Sequence, residues 1–230
     1  MDHWIDYYDS APSIYVSEAH RRAHFDLIAD DIVAAIPSPR AAVLDYSCGE
    51  ALSAARVAAK CSRLLLAEPA PSVRARLKER FAAVPNIEAL SPDDLNALPD
   101  ASLDLIVMIS VAQYMTPDEL DAAFAQIRRL LKPDGRFMLG DILDPDVGAV
   151  TDASALLKFA AKHGFLFDAI TGILRMALSN YRTLRQKIGL RSYATADMLD
   201  RLAKAGFAAT LAPHNVGTNP ARKTFIAQRK

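Results

Sequence analysis

Cysteine is nearly absent from this chain: Cys48 and Cys61 are its only two, and their spacing makes no Cys-x-x-Cys pair. No disulfide framework can be read from two residues, so a reduced, cytoplasmic setting is the economical expectation. Net charge is absent too. Lys plus Arg and Asp plus Glu both number 27, so no overall field draws the chain to nucleic acid or to an acidic membrane. Long apolar runs are missing; the longest, Leu103 to Ala112, is broken by Asp104 and Ser110 and falls short of a membrane span. The opening residues Met1-Asp2-His3-Trp4-Ile5-Asp6 lack the basic start and apolar core of a secretory signal. There is no internal repeat and no low-complexity tract. The partner left standing is a small molecule, with no nucleic acid and no stable membrane insertion.

What the chain does have is a core. With 51% hydrophobic residues over 230 positions it is not a disordered protein, and a chain of this length buries roughly 70 to 75% of its unfolded surface in one domain. From residue 41 onward, short Val, Ile and Leu runs alternate with amphipathic segments of ten or more residues. That alternation marks repeated βαβ units and a parallel sheet covered on both faces. Ligands on such sheets bind at the carboxyl ends of the strands.

Glycine is scarce where it matters most. Residues 41 to 50 read Ala-Ala-Val-Leu-Asp-Tyr-Ser-Cys-Gly-Glu, an apolar run that stops at Asp45 and breaks into a loop containing Gly49. A dinucleotide site calls for Gly-x-Gly-x-x-Gly, because a pyrophosphate needs several bare backbone amides at a helix amino end. Ser47 and Ala51 stand where further glycines would be, and Asp45 sets a negative charge beside any phosphate. A phosphate-free adenosine ligand fits this loop better, although an ordinary strand-to-helix turn would read the same way. Arg63 to Ala67 is a second short strand ending at Glu68, 23 residues after Asp45. That is about the spacing at which a carboxylate accepts two hydrogen bonds from a ribose diol; a solvated Glu before Pro69 and Pro71 is the plain alternative.

The pattern strand-Asp-x-x-x-Gly followed by Glu68 resembles the first motif of the class I methyltransferases that use S-adenosylmethionine. The resemblance continues through Ile87 to Leu90 and Ser91-Pro92-Asp93-Asp94-Leu95, then through Ala101 to Ser110, and then from Leu130 to Asp141, covering about residues 41 to 142. It implies an α/β, doubly wound, mostly parallel seven-stranded sheet with an antiparallel last strand, helices on both faces and a helical insertion after the fifth strand. It implies S-adenosylmethionine as cofactor and S-adenosylhomocysteine as product. The cofactor residues implied are Asp45, Ser47, Cys48 and Gly49 in the first loop, Glu68 and Pro69 after the second strand, and Ser110 after the fourth. In the family an acidic residue after the third strand receives the adenine amino group and the next backbone amide binds a ring nitrogen. Asp93 fits, with Asp94 and Leu95 beside it; an N-cap is the equal alternative. Ser47 and Ala51 depart from the family loop by adding side-chain bulk near the cofactor.

Around this core the sequence places a single domain over 1–230, with an amino-terminal cap (1–36), the cofactor core (41–142), a helical insertion or lid (145–192) and a last helix with a strand pair (193–230). Thr116, Pro117 and Glu119 form a capping box for a helix to about Leu131, before Lys132-Pro133-Asp134-Gly135 turns the chain. Thr195 caps a helix over Ala196 to Ala205, followed by strands at Phe207 to Pro213 and Lys223 to Gln228. Trp4, Tyr7, Tyr8 and Tyr15 precede a helix from about Ser17 to Ile36; they either line the site or anchor the terminus. The stripe Leu156, Leu157, Phe159, Phe165, Phe167, Ile170, Ile173, Leu174 and Leu178 reads as packing that also roofs an acceptor pocket. Arg175, Arg182, Arg185, Lys187 and Arg191 make the insertion basic.

A methyl group on a sulfonium is already activated, so transfer needs the acceptor held close and in line rather than a covalent nucleophile. A base helps when the acceptor is a phenol or alcohol. Relatives often carry histidine after the fourth strand, where this chain reads Val111-Ala112-Gln113-Tyr114-Met115. Gln113 and Tyr114 can orient an acceptor, as can Tyr8, Tyr15 and His163. The candidates for proton handling are Asp141, His214, His163 and Tyr114, each of which also has a structural reading. His20 and His24, four apart with Glu18 nearby, have the spacing of a shared metal but no third convincing ligand, so no metal is expected. Two other functions stay open: a non-catalytic S-adenosylmethionine-binding module acting through a partner, and a nicotinamide-dependent oxidoreductase.

Overall fold

The structure, a computed structural model, describes residues 4–9, 15–178 and 190–230. Strands β1 (Ala42–Tyr46), β2 (Arg63–Ala67), β3 (Ile87–Leu90), β4 (Leu103–Ile109), β5 (Leu131–Ile142), β6 (Phe207–Leu211) and β7 (Lys223–Arg229) form one sheet in the order β3-β2-β1-β4-β5-β7-β6. The first five are parallel, and β7 runs antiparallel to both β5 and β6. Strands covered on both faces must be apolar at consecutive positions, which is why Leu64, Leu65 and Leu66 are all buried, as are Leu105 to Met108. The chain winds outward from β1 to β3 and then returns to place β4 on the other side of β1. At that switch point the connections diverge and leave a crevice at the carboxyl ends of the strands.

Helices α1 (Trp4–Asp9), α2 (Glu18–Ala35), α3 (Ala54–Ala58), α4 (Pro71–Arg80), α5 (Pro92–Asn96), α6 (Pro117–Leu130), α7 (Ala149–His163), α8 (Leu166–Leu178) and α9 (Thr195–Lys204) surround the sheet. Ser17 caps α2, accepting the His20 N–H at 3.3 Å. The Thr116 capping box on α6 is formed as the sequence indicates, with Glu119 closing back on the Thr116 amide at 2.7 Å. Thr195 does not cap α9. The helix starts one residue earlier than its spacing suggests, so Ala194 takes the cap position and no side chain closes it. The Lys132 to Gly135 stretch also differs from expectation. It stays within β5 as an irregularity, where partners jump from Leu103 with Leu131 to Leu105 with Arg136.

The insertion lies on the amino-terminal helix. Phe159, Ala160, Phe165 and Ala169 of the α7–α8 unit pack with Val16, Ala23 and Leu27 around α2. Phe167, Ile170 and Leu174 instead face outward, so the apolar stripe is only partly packing. Leu178, Arg182, Arg185, Lys187 and the side chain of Tyr7 lie outside what is described. Among the described residues no helix is long and apolar enough to cross a membrane.

Candidate functional site

A cavity of about 430 Å³ opens over the carboxyl ends of the strands, within the range of small-molecule pockets. Its floor is made by the loop after β1 (Ser47, Cys48, Gly49), by Glu68 after β2, and by Ser110 and Asp141 at the ends of β4 and β5. From β2 to β5 is three inter-strand steps, about 14 Å, so the cavity has two ends.

At the β1–β2 end the backbone is held by a carboxylate. Glu68 is buried, and its Oε2 accepts the Gly49 N–H at 2.9 Å while Oε1 accepts the Ala70 N–H at 2.8 Å. Burial pushes its carboxyl above the ordinary range, against the pull of those amides and of Arg74. Asp45 sits beneath the same loop. It lines a small void of about 40 Å³ against α2, shared with Ser47 and Cys48, and burial and the nearby Glu68 raise its carboxyl to about 7. Burial likewise raises the Cys48 thiol, so the residue serves as a small uncharged wall.

The loop keeps a glycine-like path with little glycine. Ser47, Gly49 and Ala51 have φ of 59°, 58° and 40°. Ser110 and Asp141 have φ of 60° and 59°, so four of the non-glycine residues in this left-handed region belong to the strand ends around the crevice. Such conformations cost of order 1 kcal/mol or more each and persist where the surroundings impose them, commonly at ligand sites.

Two contacts lock the amino-terminal segment over this end. Arg21 on α2 forks onto Glu50 at 2.7 and 2.6 Å, and Asp9 at the end of α1 accepts the Ser72 N–H at 2.7 Å at the start of α4. Trp4, Tyr8 and Tyr15 thereby line the cavity.

The β5 end carries a polar network. Asp141 Oδ2 accepts the Ser110 hydroxyl at 2.6 Å and an Arg222 N–H at 2.7 Å, and Oδ1 accepts the Asn215 amide at 3.2 Å. Arg222 also reaches Asp152 of α7 at 3.2 Å, and Asn219 donates to the same carboxylate at 2.6 Å. The insertion is thus tied to the sheet through the charged groups that line the cavity.

Comparison with known proteins adds a resemblance to this geometry. Residues 44–139 match the model of a family described as "Methyltransferase domain". That match spans 96 of the 230 residues, and the sheet around it has the Rossmann-like methyltransferase fold. Its fold is similar to that of DhpI, solved as a complex with SAH (14% identity, 98% of this chain, 94% of that one, TM-score 0.61). It is also similar to a TehB-like SAM-dependent methyltransferase from Corynebacterium glutamicum (18% identity, 99% and 94%, TM-score 0.54). The YcgJ protein from Bacillus subtilis is a third (17% identity, 82% and 70%, TM-score 0.57). No curated protein sequence matches significantly.

Within this cavity the structure assembles Ser47, Cys48, Gly49, Glu68, Ser110, Tyr8, Tyr15, Gln113, Tyr114 and Asp141, while Asp45 lines the smaller void beneath the loop instead. It does not bring in the turn after β3. Asp94 closes a capping box with Ser91, Leu95 is buried in the core, and Asp93 is exposed on α5 outside the cavity. Pro69 is also outside, its carbonyl accepting from Arg74.

Two proton-handling candidates fall away for the same reason. His163 is exposed against Phe159, and His214 is exposed on the β6–β7 connection. Asp141 is present, with its oxygens occupied by Ser110, Arg222 and Asn215.

The sequence reading missed Arg76, Asp152, Asn219 and Arg222, and it weighed His20 and His24 as metal ligands, whereas both line the cavity. The signal for Arg222 was available. A last strand antiparallel to β5 begins beside the end of β5, as the pairing of Ile142 with Lys223 records. The metal spacing of His20 and His24 leads nowhere: Glu18 pairs with Arg21 and Arg22, and His20 Nδ1 accepts the Val16 N–H at 3.3 Å.

Proposed function

We propose that this chain binds S-adenosylmethionine across the tips of β1 and β2 and transfers its methyl group to a small-molecule acceptor lying toward β4 and β5. The observation that carries the reading is the amide-holding carboxylate of Glu68 beside an open, single-glycine loop. A Cβ built on Gly49 would meet nothing within 4 Å, so the space above the loop is free for a ligand. The residues fit the cofactor: Glu68 in the cavity, with the Asp45 carboxyl beneath its floor, favours a diol and a cation and opposes a pyrophosphate, which argues against a nicotinamide dinucleotide. Bound there, S-adenosylmethionine supplies a methyl already activated for displacement.

The chain's own part is to position and to exclude water. Glu68 offers its remaining lone pairs to the ribose hydroxyls, Gly49 lets the backbone approach, and Trp4, Tyr8 and Tyr15 cover the site. The roof made by α1, α2 and α7 supports a small acceptor, since a macromolecule would need an open face. Calorimetric titration of S-adenosylmethionine, S-adenosylhomocysteine and NAD tests the reading. It expects saturable binding of the first two and none of NAD; the reverse order would replace it with the oxidoreductase.

A further inference from the structure

We propose, on the basis of that methyltransferase reading, that His24 is the proton acceptor of the reaction and that the methyl acceptor presents a hydroxyl on an aromatic ring. His24 lines the cavity from α2, and its ring makes no hydrogen bond to the described residues. Its neighbour His20 is fixed by the Val16 amide and stacks on Phe165 at 5.1 Å, leaving His24 as the imidazole available to a ligand. Tyr15 and Phe25 hold the His24 ring from two sides, with centroids 5.4 Å away in each case.

Two features select the acceptor. Aromatic rings flank His24, Tyr15 and Phe25 in contact with it, and Ile28, Tyr114 and Leu156 add apolar surface to the same cavity. The carboxylates at this end, Asp141 and Asp152, are both taken by Arg222, so no free acid remains there to hold an ammonium. Gln113 lines the same cavity, buried and fixed by its amide N–H on the Ser110 carbonyl at 2.8 Å.

The titratable and charged groups sharing this cavity are His20 on α2, Tyr15 before it, Tyr8 on α1, Glu50 after β1, Glu68 after β2, Arg76 on α4, Arg222 before β7, Asp152 on α7, Asp141 on β5 and Tyr114 after β4. Burial, and then the Arg222 charge, hold His24 down at about 4, so it is neutral near pH 7. A phenol, with pKa about 10, gives up its proton to a neutral imidazole far more readily than an aliphatic alcohol does. In the step, the ring oxygen bonds to the methyl carbon and the carbon–sulfur bond breaks with its electron pair left on sulfur. The hydroxyl proton passes to a His24 ring nitrogen and then to solvent.

The test is histidine-labelled NMR of the protein saturated with S-adenosylhomocysteine, with His24→Gln assigning the signal. The His24 resonance should report a neutral ring from pH 8 to about 5 and shift on adding phenol but not aniline. Transfer of labelled methyl to a panel of monohydric phenols should fall about 100-fold in His24→Gln, while calorimetry shows its S-adenosylmethionine affinity unchanged. A signal unmoved by phenol, an equal response to aniline, no transfer to any phenol, or an undiminished rate in the variant overturns the assignment and leaves the cofactor reading intact. Failure of the wild-type protein to bind S-adenosylmethionine overturns the reading beneath it.

Discussion

Glu68 at the tip of β2 and Gly49 in the loop after β1 are joined by a 2.9 Å hydrogen bond from the glycine amide to the carboxylate. The same carboxylate takes the Ala70 amide, so one side chain sets the separation of two strand tips and still has lone pairs for a diol. Replacing it by glutamine keeps the size but turns an N–H₂ toward a backbone N–H. Hydrogen bonds to a charged group contribute about 1.5–3 kcal/mol, so Glu68→Gln should bind S-adenosylmethionine about 10- to 150-fold more weakly and melt lower. Calorimetry and thermal unfolding measure both effects; an unchanged affinity removes Glu68 from the site.

Asp45 makes stability depend on pH. Its carboxyl is held near 7 in the fold by burial and Glu68, well above its ordinary value of 3.8. The stability tied to that group is whole below about pH 4 and is lost as pH rises through 7. Asp45→Asn removes this loss, so the variant should match wild type at pH 4 and exceed it at pH 8 by on the order of 2 kcal/mol, less than full linkage because Asp45 keeps some solvent access. Denaturant unfolding at both pH values decides it. A sulfonium favours the charged carboxylate, so S-adenosylmethionine should also gain affinity between pH 6 and 8 by more than S-adenosylhomocysteine does.

Arg222 and Asp141 are both largely buried, at 18% and 9% side-chain exposure, and lie 2.7 Å apart. Removing one member of such a pair leaves an uncompensated charge and costs about 3–5 kcal/mol. Arg222→Met should therefore destabilise strongly, while Arg222→Met with Asp141→Asn recovers part of the loss. Equal stability of the single and double variants in urea melts would show that the pair is not coupled.

The loop after β1 should respond oppositely at two positions two residues apart. Gly49→Ala forces an L side chain into φ of +58° and should cost about 1–2 kcal/mol, with loss of cofactor affinity as the added methyl enters the open space. Ser47→Gly relieves the same strain at φ of +59°. Its greater unfolded-chain entropy costs only about 0.5–1 kcal/mol, so stability should hold or rise. Thermal melts compare the two; a clear loss in Ser47→Gly would mean that the Ser47 side chain, and not the backbone alone, holds the loop.

The sheet was legible because burial on both faces demands runs of Leu, Ile and Val, and β2 and β4 lie where those runs stand. Glu68 was legible through its distance from Asp45 along a βαβ unit. The Asp93–Asp94 turn misled because an acidic pair after Ser-Pro serves an N-cap as well as a ligand, and here the cap took Asp94. His24 was hidden for another reason: α2 reveals which of its faces meets the cavity only once the α7–α8 unit is packed against it. The strand register of β5 was likewise invisible, since Pro133 and Gly135 signal a turn whether or not the flanking residues continue one strand.

The most direct test is a structure of the protein crystallised with S-adenosylhomocysteine. The account predicts the ribose diol within about 3 Å of the Glu68 carboxylate, the thioether over the Gly49 loop, and the Glu68 hydrogen bond to Gly49 retained. A nucleoside bound elsewhere, or strand tips closed by the protein's own side chains, contradicts it.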